Sequence, residues 1–156
     1  MSSLVDSYWS CICDVDIAAV GQWLALGGQP WSVPNSVTKP QRIFEPPMGL
    51  LRPIIDTVLA CFTDLVCIHQ PMLSRVLPGQ THPMHTDTQR ADWLTRVHVP
   101  ITTDPQAWML FEEEGTPVHF VAGKAYTFNT LKRHAFGNDG AAERVHFLFD
   151  VLRKDW

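Results

Sequence analysis

The sequence contains no run of 18 uncharged apolar residues, so we expect no transmembrane helix and no membrane partner. Its first residues, MSSLVDSYWS, have neither a basic segment nor an apolar core, and we therefore expect a cytoplasmic protein without a secretory signal. Basic residues are also few. The 12 Lys and Arg residues against 16 Asp and Glu residues leave a formal charge of −4, which argues against broad binding to nucleic acid.

Cysteine is scarce, with four residues at positions 11, 13, 61 and 67. The pair Cys11 and Cys13 is too closely spaced for an easy disulfide and does not match a zinc-binding spacing. We expect reduced thiols. What the chain does have is 156 residues, of which 46% are hydrophobic and 18% charged, enough for one domain with a buried core.

The first 70 residues have the texture of helices and loops. Helical periodicity covers Asp16–Leu26, which Gly27 and Gly28 end, and Leu50–Val66, where Pro53 is tolerable in a first turn. Between them, Gln29–Pro47 is rich in Pro, Ser and Asn and is predicted to be a loop that wraps the domain. We expect residues 1–70 to pack on a β-core formed by residues 71–156.

After residue 70 the sequence changes to short apolar segments broken by turn residues. The predicted strands are Met72–Leu77, Leu94–Ile101, Ala107–Glu112, Val118–Val121, Ala125–Asn129 and Val145–Leu152. Turn pairs such as Pro78-Gly79 and Ala122-Gly123 separate them. Many short strands at this spacing predict a mainly β fold, a sandwich or jelly-roll barrel, with helices outside it.

One spacing suggests a metal site. His85 and Asp87 lie two residues apart in the predicted loop THPMHTD, so in extended backbone both side chains project to one side. His134, at the start of another predicted strand, is a candidate third ligand. Two histidines and one carboxylate would leave three adjacent positions open on a ferrous ion, enough for a bidentate co-substrate and dioxygen.

Because His-x-Asp followed by a distant His is common, a further residue is needed to support this interpretation. Arg144 begins the apolar run VHFLFDV, and a cation that enters a barrel core requires an anionic partner. A 2-oxoglutarate that chelates iron at one end carries a second carboxylate at the other. The fixed fork of an arginine suits that carboxylate better than a lysine does.

The segments LPGQTHPMHTDTQRADWLTRVHVPI and GKAYTFNTLKRHAFGNDGAAERVHFLFDV together resemble the aspartyl/asparaginyl β-hydroxylase family. The shared features are a Pro-Gly turn, the R-V-H-x-P-I strand, a G-x-x-Y-x-F strand, and a His followed by Asn and Arg at fixed distances. The resemblance covers about residues 72–152. It implies an iron(II)- and 2-oxoglutarate-dependent oxygenase with a double-stranded β-helix, or cupin-like, core.

The resemblance also implies residue roles. His85 and His134 would bind iron, Arg144 and Ser74 would hold the distal carboxylate of 2-oxoglutarate, and Arg96 and His98 would line the co-substrate and substrate pocket. Animal members of the family have glycine where Asp87 stands, whereas bacterial relatives that hydroxylate free amino acids have a carboxylate there. Asp87 is therefore the expected third ligand, and its presence favours hydroxylation over halogenation.

Other residues near this site allow two interpretations. His82 either supports the ligands or belongs to the loop, Asn138 either orients His134 or is a turn residue, and Trp93 is either a pocket wall or core. His119 and His146 are expected on barrel strands. The pocket would be completed by residues 29–47, residues 88–93 and the hairpin around Glu113. Possible partners for a substrate carboxylate, if they are not surface residues, are Arg75, Arg90 and Lys132.

The expected reaction is hydroxylation of an unactivated C–H bond in a free amino acid, a small metabolite or a peptide side chain, with iron(II), 2-oxoglutarate and O2, releasing succinate and carbon dioxide. The short N-terminal part mildly favours a small substrate. One alternative is a cupin-type metal enzyme that does not use 2-oxoglutarate and has no need of Arg144. The other is a non-catalytic module that binds a metal or ligand.

Overall fold

Two antiparallel β-sheets enclose the interior of the computed structural model, which describes residues 7–32 and 39–154. The strands are β1 (Trp9–Asp14), β2 (Gln41–Ile43), β3 (Val66–Val76), β4 (Thr81–His85), β5 (Trp93–Thr102), β6 (Ala107–Phe111), β7 (Lys124–Phe128), β8 (His134–Asn138) and β9 (Arg144–Arg153). The larger sheet has the order β1-β7-β5-β9-β3-β2, and the smaller has the order β4-β8-β6. This arrangement confirms the predicted double-stranded β-helix.

Two helices, α1 (Ala18–Ala25) and α2 (Met48–Leu59), cover the outer face of the larger sheet. The cluster that they form with it includes Val20 of α1 and Ile55 of α2, packed with residues of β5 and β9. No helix in the described part of the chain is long and apolar enough to cross a membrane.

Strand β9 explains why polar side chains enter the interior. Because side chains alternate along a strand, one set of β9 residues joins the core beneath the helices and the other set faces the opposite side. The first set is Val145, Phe147, Phe149 and Val151. The second set is Arg144, His146, Leu148 and Asp150, all of them buried. A strand buried on both faces therefore carries three polar residues toward the space between the sheets.

The second helix is present as predicted, but its first and last residues differ from the predicted ones. It begins at Met48, two residues before the predicted start, so Pro53 lies inside the helix and not in its first turn. It ends at Leu59, not at Val66. Residues 60–65 form turns and bends, and the strand β3 begins at Val66, which pairs with Arg153 on β9.

The prediction that the first 70 residues are helix and loop misses two strands. Strand β1 pairs with β7 across a bulge between Cys11 and Cys13, which removes the regular alternation that would have identified it. Strand β2 is three residues long and lies within the predicted loop Gln29–Pro47. Both are edge strands of the larger sheet, ordered by pairing with a neighbour and not by a strong local pattern.

Two predictions after residue 70 are also wrong. Val118–Val121 is not a strand, because only an isolated bridge joins Val118 to Met109. The next residue, His119, has its Nδ1 atom 2.8 Å from the carbonyl oxygen of Ala107. Conversely, the predicted loop around His85 contains the strand β4, which pairs with β8. This second correction matters for the site, since it sets the position of His85 by strand register.

Candidate metal centre and active site

Strand pairing brings the three predicted ligands together. His85 of β4 lies directly opposite His134 of β8, and their ring centroids are 4.3 Å apart. Asp87 follows two residues after His85, where its backbone N–H donates to the Thr130 carbonyl oxygen at 3.0 Å. One ligand atom from each of the three side chains lies within 4.8 Å of the others. Two imidazoles and a carboxylate at this spacing fit a ferrous ion with open positions.

Backbone carbonyl groups determine which imidazole nitrogens face the centre. Nδ1 of His85 lies 2.7 Å from the Pro83 oxygen, and Nδ1 of His134 lies 2.7 Å from the Lys132 oxygen. A carbonyl oxygen only accepts, so each Nδ1 carries the proton and each Nε2 presents its lone pair. Burial is the main cause that lowers the pKa of His134 to about 4, which keeps its ring neutral and able to bind a metal at neutral pH.

Arg96 orients the carboxylate of Asp87. Its Nη1 donates to Oδ2 of Asp87 at 3.2 Å, while Oδ1 of Asp87 lies 3.4 Å from Nε2 of His85. The same guanidinium donates to both oxygens of the buried Asp150, at 2.9 and 3.2 Å, and Trp93 Nε1 also donates to Asp150 at 3.2 Å. Oδ1 of Asp87 therefore faces the histidines, whereas Oδ2 accepts the hydrogen bond from Arg96.

This arrangement predicts a large effect of Asp150→Asn. The variant leaves Arg96 without its buried anionic partner, and we expect it to lose about 3 kcal/mol in the free energy of unfolding. Asp87 should also be less well oriented, with iron(II) affinity lower by about 10-fold. Urea unfolding and iron titration measure the two effects.

The control is Glu112→Gln, which breaks an ion pair with Arg133 whose side chains are both 53% exposed. An exposed pair of this kind contributes about 0–1 kcal/mol. Equal losses in the two variants would contradict a special role for the buried pair.

Arg144 is a buried cation for which the described residues provide no anionic partner. It is 2% exposed, and none of the described carboxylates pairs with it. Its Nε and Nη2 contact the two ring nitrogens of His146 at 3.1 and 2.8 Å, of which a neutral ring can offer one acceptor, and Nη2 also contacts the sulfur of Met109 at 3.3 Å. Burial lowers the pKa of Arg144 to about 9, so it remains charged at neutral pH. A carboxylate of 2-oxoglutarate would satisfy this group.

Two histidines beside Arg144 are uncharged, so they do not balance its positive charge. Burial, with Arg144 as the next cause, lowers the pKa of His98 and of His146 well below the usual value, and their Nδ1 atoms are 3.2 Å apart. Ser74 is buried on β3, opposite His146. A cavity of about 390 Å³ is lined by Ser74, His98 and Arg144 together with the three candidate ligands. The predicted iron and 2-oxoglutarate residues therefore share one space.

Two residues predicted for the pocket do not line it. Trp93 supports Asp150, as described above. Asn138 is fully buried at the turn before β9, where its side chain donates to the carbonyl oxygens of Val76 and Ala142 and accepts from the Gly140 N–H. His82 does line the cavity, with its ring stacked on Phe136 at 4.9 Å.

Arg42 of β2 lines the cavity, and the sequence did not predict this positive side chain there. The three alternatives suggested earlier are instead in ion pairs outside it. These pairs are Arg75 with Glu143, Arg90 with Asp92, and Lys132 with Glu113. Since Arg42 lies in a segment without helical or strand periodicity, no local signal marked it. From the predicted loop after Asp87, Thr88 and Gln89 line the cavity, whereas the hairpin around Glu113 does not.

The fold is similar to those of several solved structures. A viral collagen prolyl hydroxylase from Paramecium bursaria Chlorella virus-1, in complex with 2-oxoglutarate, is 15% identical with a TM-score of 0.69 over 94% of this chain and 96% of that one. A prolyl-4-hydroxylase of Pseudomonas putida is 17% identical with a TM-score of 0.67, over 97% and 96%. A non-haem α-ketoglutarate-dependent epimerase from nogalamycin biosynthesis is 11% identical with a TM-score of 0.74, over 97% and 80%. No curated protein matches the sequence.

The double-stranded β-helix and its cluster of two histidines and an aspartate fit the class of iron(II)- and 2-oxoglutarate-dependent oxygenases. Within that class, the profile of the Aspartyl/Asparaginyl beta-hydroxylase family matches residues 51–154, about two-thirds of the chain. The chain belongs to this family. It is an enzyme whose cofactor and co-substrates are iron(II), 2-oxoglutarate and O2.

Proposed function

We propose that this enzyme hydroxylates an unactivated C–H bond in a small substrate, with His85, Asp87 and His134 as the iron ligands. Iron(II) and 2-oxoglutarate, when bound, supply the oxidising chemistry that converts a C–H bond, 2-oxoglutarate and O2 into a C–OH bond, succinate and carbon dioxide. The observation that carries the proposal is Arg144, a buried cation with no anion among the described residues, in the same cavity as the three candidate ligands.

The protein contributes orientation and a low dielectric in this proposal. Arg144 and Ser74 bind the distal carboxylate of 2-oxoglutarate, and the neutral ring of His98 lies beside them on β5. The carbonyl groups of Pro83 and Lys132 hold the ligand imidazoles in the required tautomer, and Arg96 orients Asp87. A charge buried at Arg144 attracts a dianion more strongly than an exposed one would.

The size of the cavity favours a small substrate. At about 390 Å³ it is near the lower end of the range for ligand pockets, about 300–1,000 Å³, and it would have to hold 2-oxoglutarate as well. A free amino acid, a small metabolite or a single side chain of a peptide is of suitable size.

An anaerobic titration tests the proposal. Adding 2-oxoglutarate to the iron(II)-loaded protein is expected to produce a visible charge-transfer band that saturates at one equivalent per iron. Subsequent exposure to O2 should yield succinate. Succinate, which lacks the keto group needed for chelation, is the control and should give no band.

The same titration separates the alternatives. An iron-loaded protein that gives no band would indicate a cupin-type enzyme without 2-oxoglutarate, and a protein that does not bind iron would indicate a non-catalytic module. Either result refutes the proposed function.

A further inference from the structure

Arg42 reaches the cavity from a part of the chain that the family match does not include. The match begins at residue 51, whereas Arg42 is the middle residue of β2. It lies opposite Ser74 on β3, and Ser74 lies opposite His146 on β9. Directly paired residues of neighbouring strands share a face, so all three side chains are on the cavity side of the larger sheet.

The backbone of Arg42 is fixed, but its side chain has no hydrogen-bond or ion-pair partner among the described residues. Its N–H donates to Ser32 Oγ and its carbonyl oxygen accepts from the Ser32 N–H, both at 2.9 Å. Among residues 7–32 and 39–154, no side-chain hydrogen bond or ion pair satisfies its guanidinium. Burial is the main cause that lowers the pKa of Arg42, repulsion from Arg96 adds to it, and attraction to Asp87 opposes it. Arg42 is thus a half-buried cation held near the candidate metal centre.

The positive and negative charges around the cavity do not balance. Three guanidiniums line it, those of Arg42, Arg96 and Arg144, while the nearby carboxylates are Asp87, which lines it, and Asp150, which pairs with Arg96. One positive charge is left over. An iron(II) ion adds two positive charges and 2-oxoglutarate adds two negative ones, so the excess of one remains in the loaded enzyme. Since Arg144 and Arg96 already have their anions in that state, the excess is located at Arg42.

We propose that Arg42 binds the carboxylate of the substrate that is hydroxylated, and that this substrate is a small molecule with one free carboxylate. The inference rests on the proposed function, and it makes the substrate class narrower. A guanidinium can hold a carboxylate through two parallel hydrogen bonds, which orients the substrate as well as binding it. The neutral interior residues of a peptide would leave this cation unpaired, whereas a free amino acid or another small carboxylic acid would neutralise it.

Matched acids and amides provide the test. The iron(II)- and 2-oxoglutarate-loaded enzyme is assayed for stimulated succinate formation with the twenty free L-amino acids and with the corresponding α-carboxamides. We expect stimulation by one or more acids and a KM at least about 10-fold higher for each matching amide. For the responding acids, Arg42→Gln should raise KM by about 10- to 100-fold with a smaller effect on kcat, because a charge-assisted interaction is lost.

Two further measurements show whether Arg42 acts on the substrate. The 2-oxoglutarate absorbance band should be unchanged in Arg42→Gln, and its loss would assign Arg42 to the co-substrate and overturn the proposal. The control Arg75→Gln alters the adjacent strand on its opposite face, where Arg75 contacts Gln41 and Glu143, and should leave KM unchanged.

Thermal unfolding gives a result that needs no substrate. Because the guanidinium of Arg42 is half-buried and has no partner among the described residues, Arg42→Gln should unfold at the same temperature as the parent protein or at a higher one. A clear decrease would show a structural role and overturn the proposal. Equal KM values for acids and amides would also overturn it, and no response to any of the twenty acids would exclude these amino acids as the substrate. Failure of the parent protein to form the 2-oxoglutarate band would instead refute the proposed function.

Discussion

Replacing Arg144 with methionine is expected to raise the Kd for 2-oxoglutarate by at least about 100-fold while the protein still binds iron. The reason is that the variant removes a fully buried charge that can form two hydrogen bonds with the distal carboxylate, and such charge-assisted interactions contribute about 1.5–3 kcal/mol each. Methionine has a similar length and leaves the β9 backbone pairing intact. The measurement is anaerobic titration of the iron(II) protein with 2-oxoglutarate, in which the absorbance of the charge-transfer band is monitored.

The same variant should not be less stable than the parent protein when 2-oxoglutarate is absent. Because burial lowers the pKa of Arg144 from its usual value to about 9 in the folded state, the charged form opposes folding at every pH below about 9. That cost is relieved only as the pH rises above about 9. At neutral pH, removal of the charge therefore offsets the loss of its contacts with His146 and Met109.

Stability with and without the co-substrate separates function from structure at this position. In the parent protein, saturating 2-oxoglutarate should raise the unfolding temperature in the presence of iron(II), and in Arg144→Met this increase should disappear. Arg133→Gln, at an exposed ion pair, is the matched control and should keep the increase. If Arg144→Met strongly destabilised the protein without 2-oxoglutarate, Arg144 would be a structural residue and not a binding one.

Replacing His134 with alanine is expected to reduce bound iron from about one equivalent to almost none and to reduce succinate formation by at least about 1,000-fold. His134 lies on the central strand of the smaller sheet, is 3% exposed, and has its Nδ1 held by a backbone carbonyl group. No other described histidine lies at that position on β8. Iron analysis after dialysis and the 2-oxoglutarate assay provide the two measurements.

His119 is the matched control for this prediction. It is a half-buried histidine on the other side of Met109, where its Nδ1 contacts the Ala107 carbonyl oxygen, and it does not line the cavity. His119→Ala should retain iron and activity. Full iron occupancy in His134→Ala would show that the cluster is not the metal centre.

Much of the core could be predicted because it depends on local patterns. Alternation in RVHVPI and RVHFLFDVL identified β5 and β9, and Gly27 and Gly28 correctly predicted the end of α1. The edge strands β1 and β2 could not be predicted, since a bulge or a length of three residues removes the periodicity on which such predictions depend.

The candidate site divides in the same way. The spacing of His85, Asp87 and His134, and a charge at the start of an apolar strand, are properties of the sequence alone. They suggested a metal site and a 2-oxoglutarate site, whereas the double-stranded β-helix and the family were predicted from the resemblance that several motifs within residues 72–152 carry. Their residue roles remain predictions that the variants above test.

Only the tertiary structure decided what surrounds those residues. The pairing of β4 with β8 places His85 opposite His134, and the pairing of β2 with β3 brings Arg42 into the cavity while Arg75 faces away. The tertiary structure also shows that Trp93 and Asn138 do not line the pocket. Trp93 donates a hydrogen bond to Asp150, and Asn138 donates one to the carbonyl oxygen of Val76. The physical reason is that a one-residue change in strand register moves every side chain to the other face. Register between strands distant in sequence is set by packing of the whole barrel, so local patterns do not contain it.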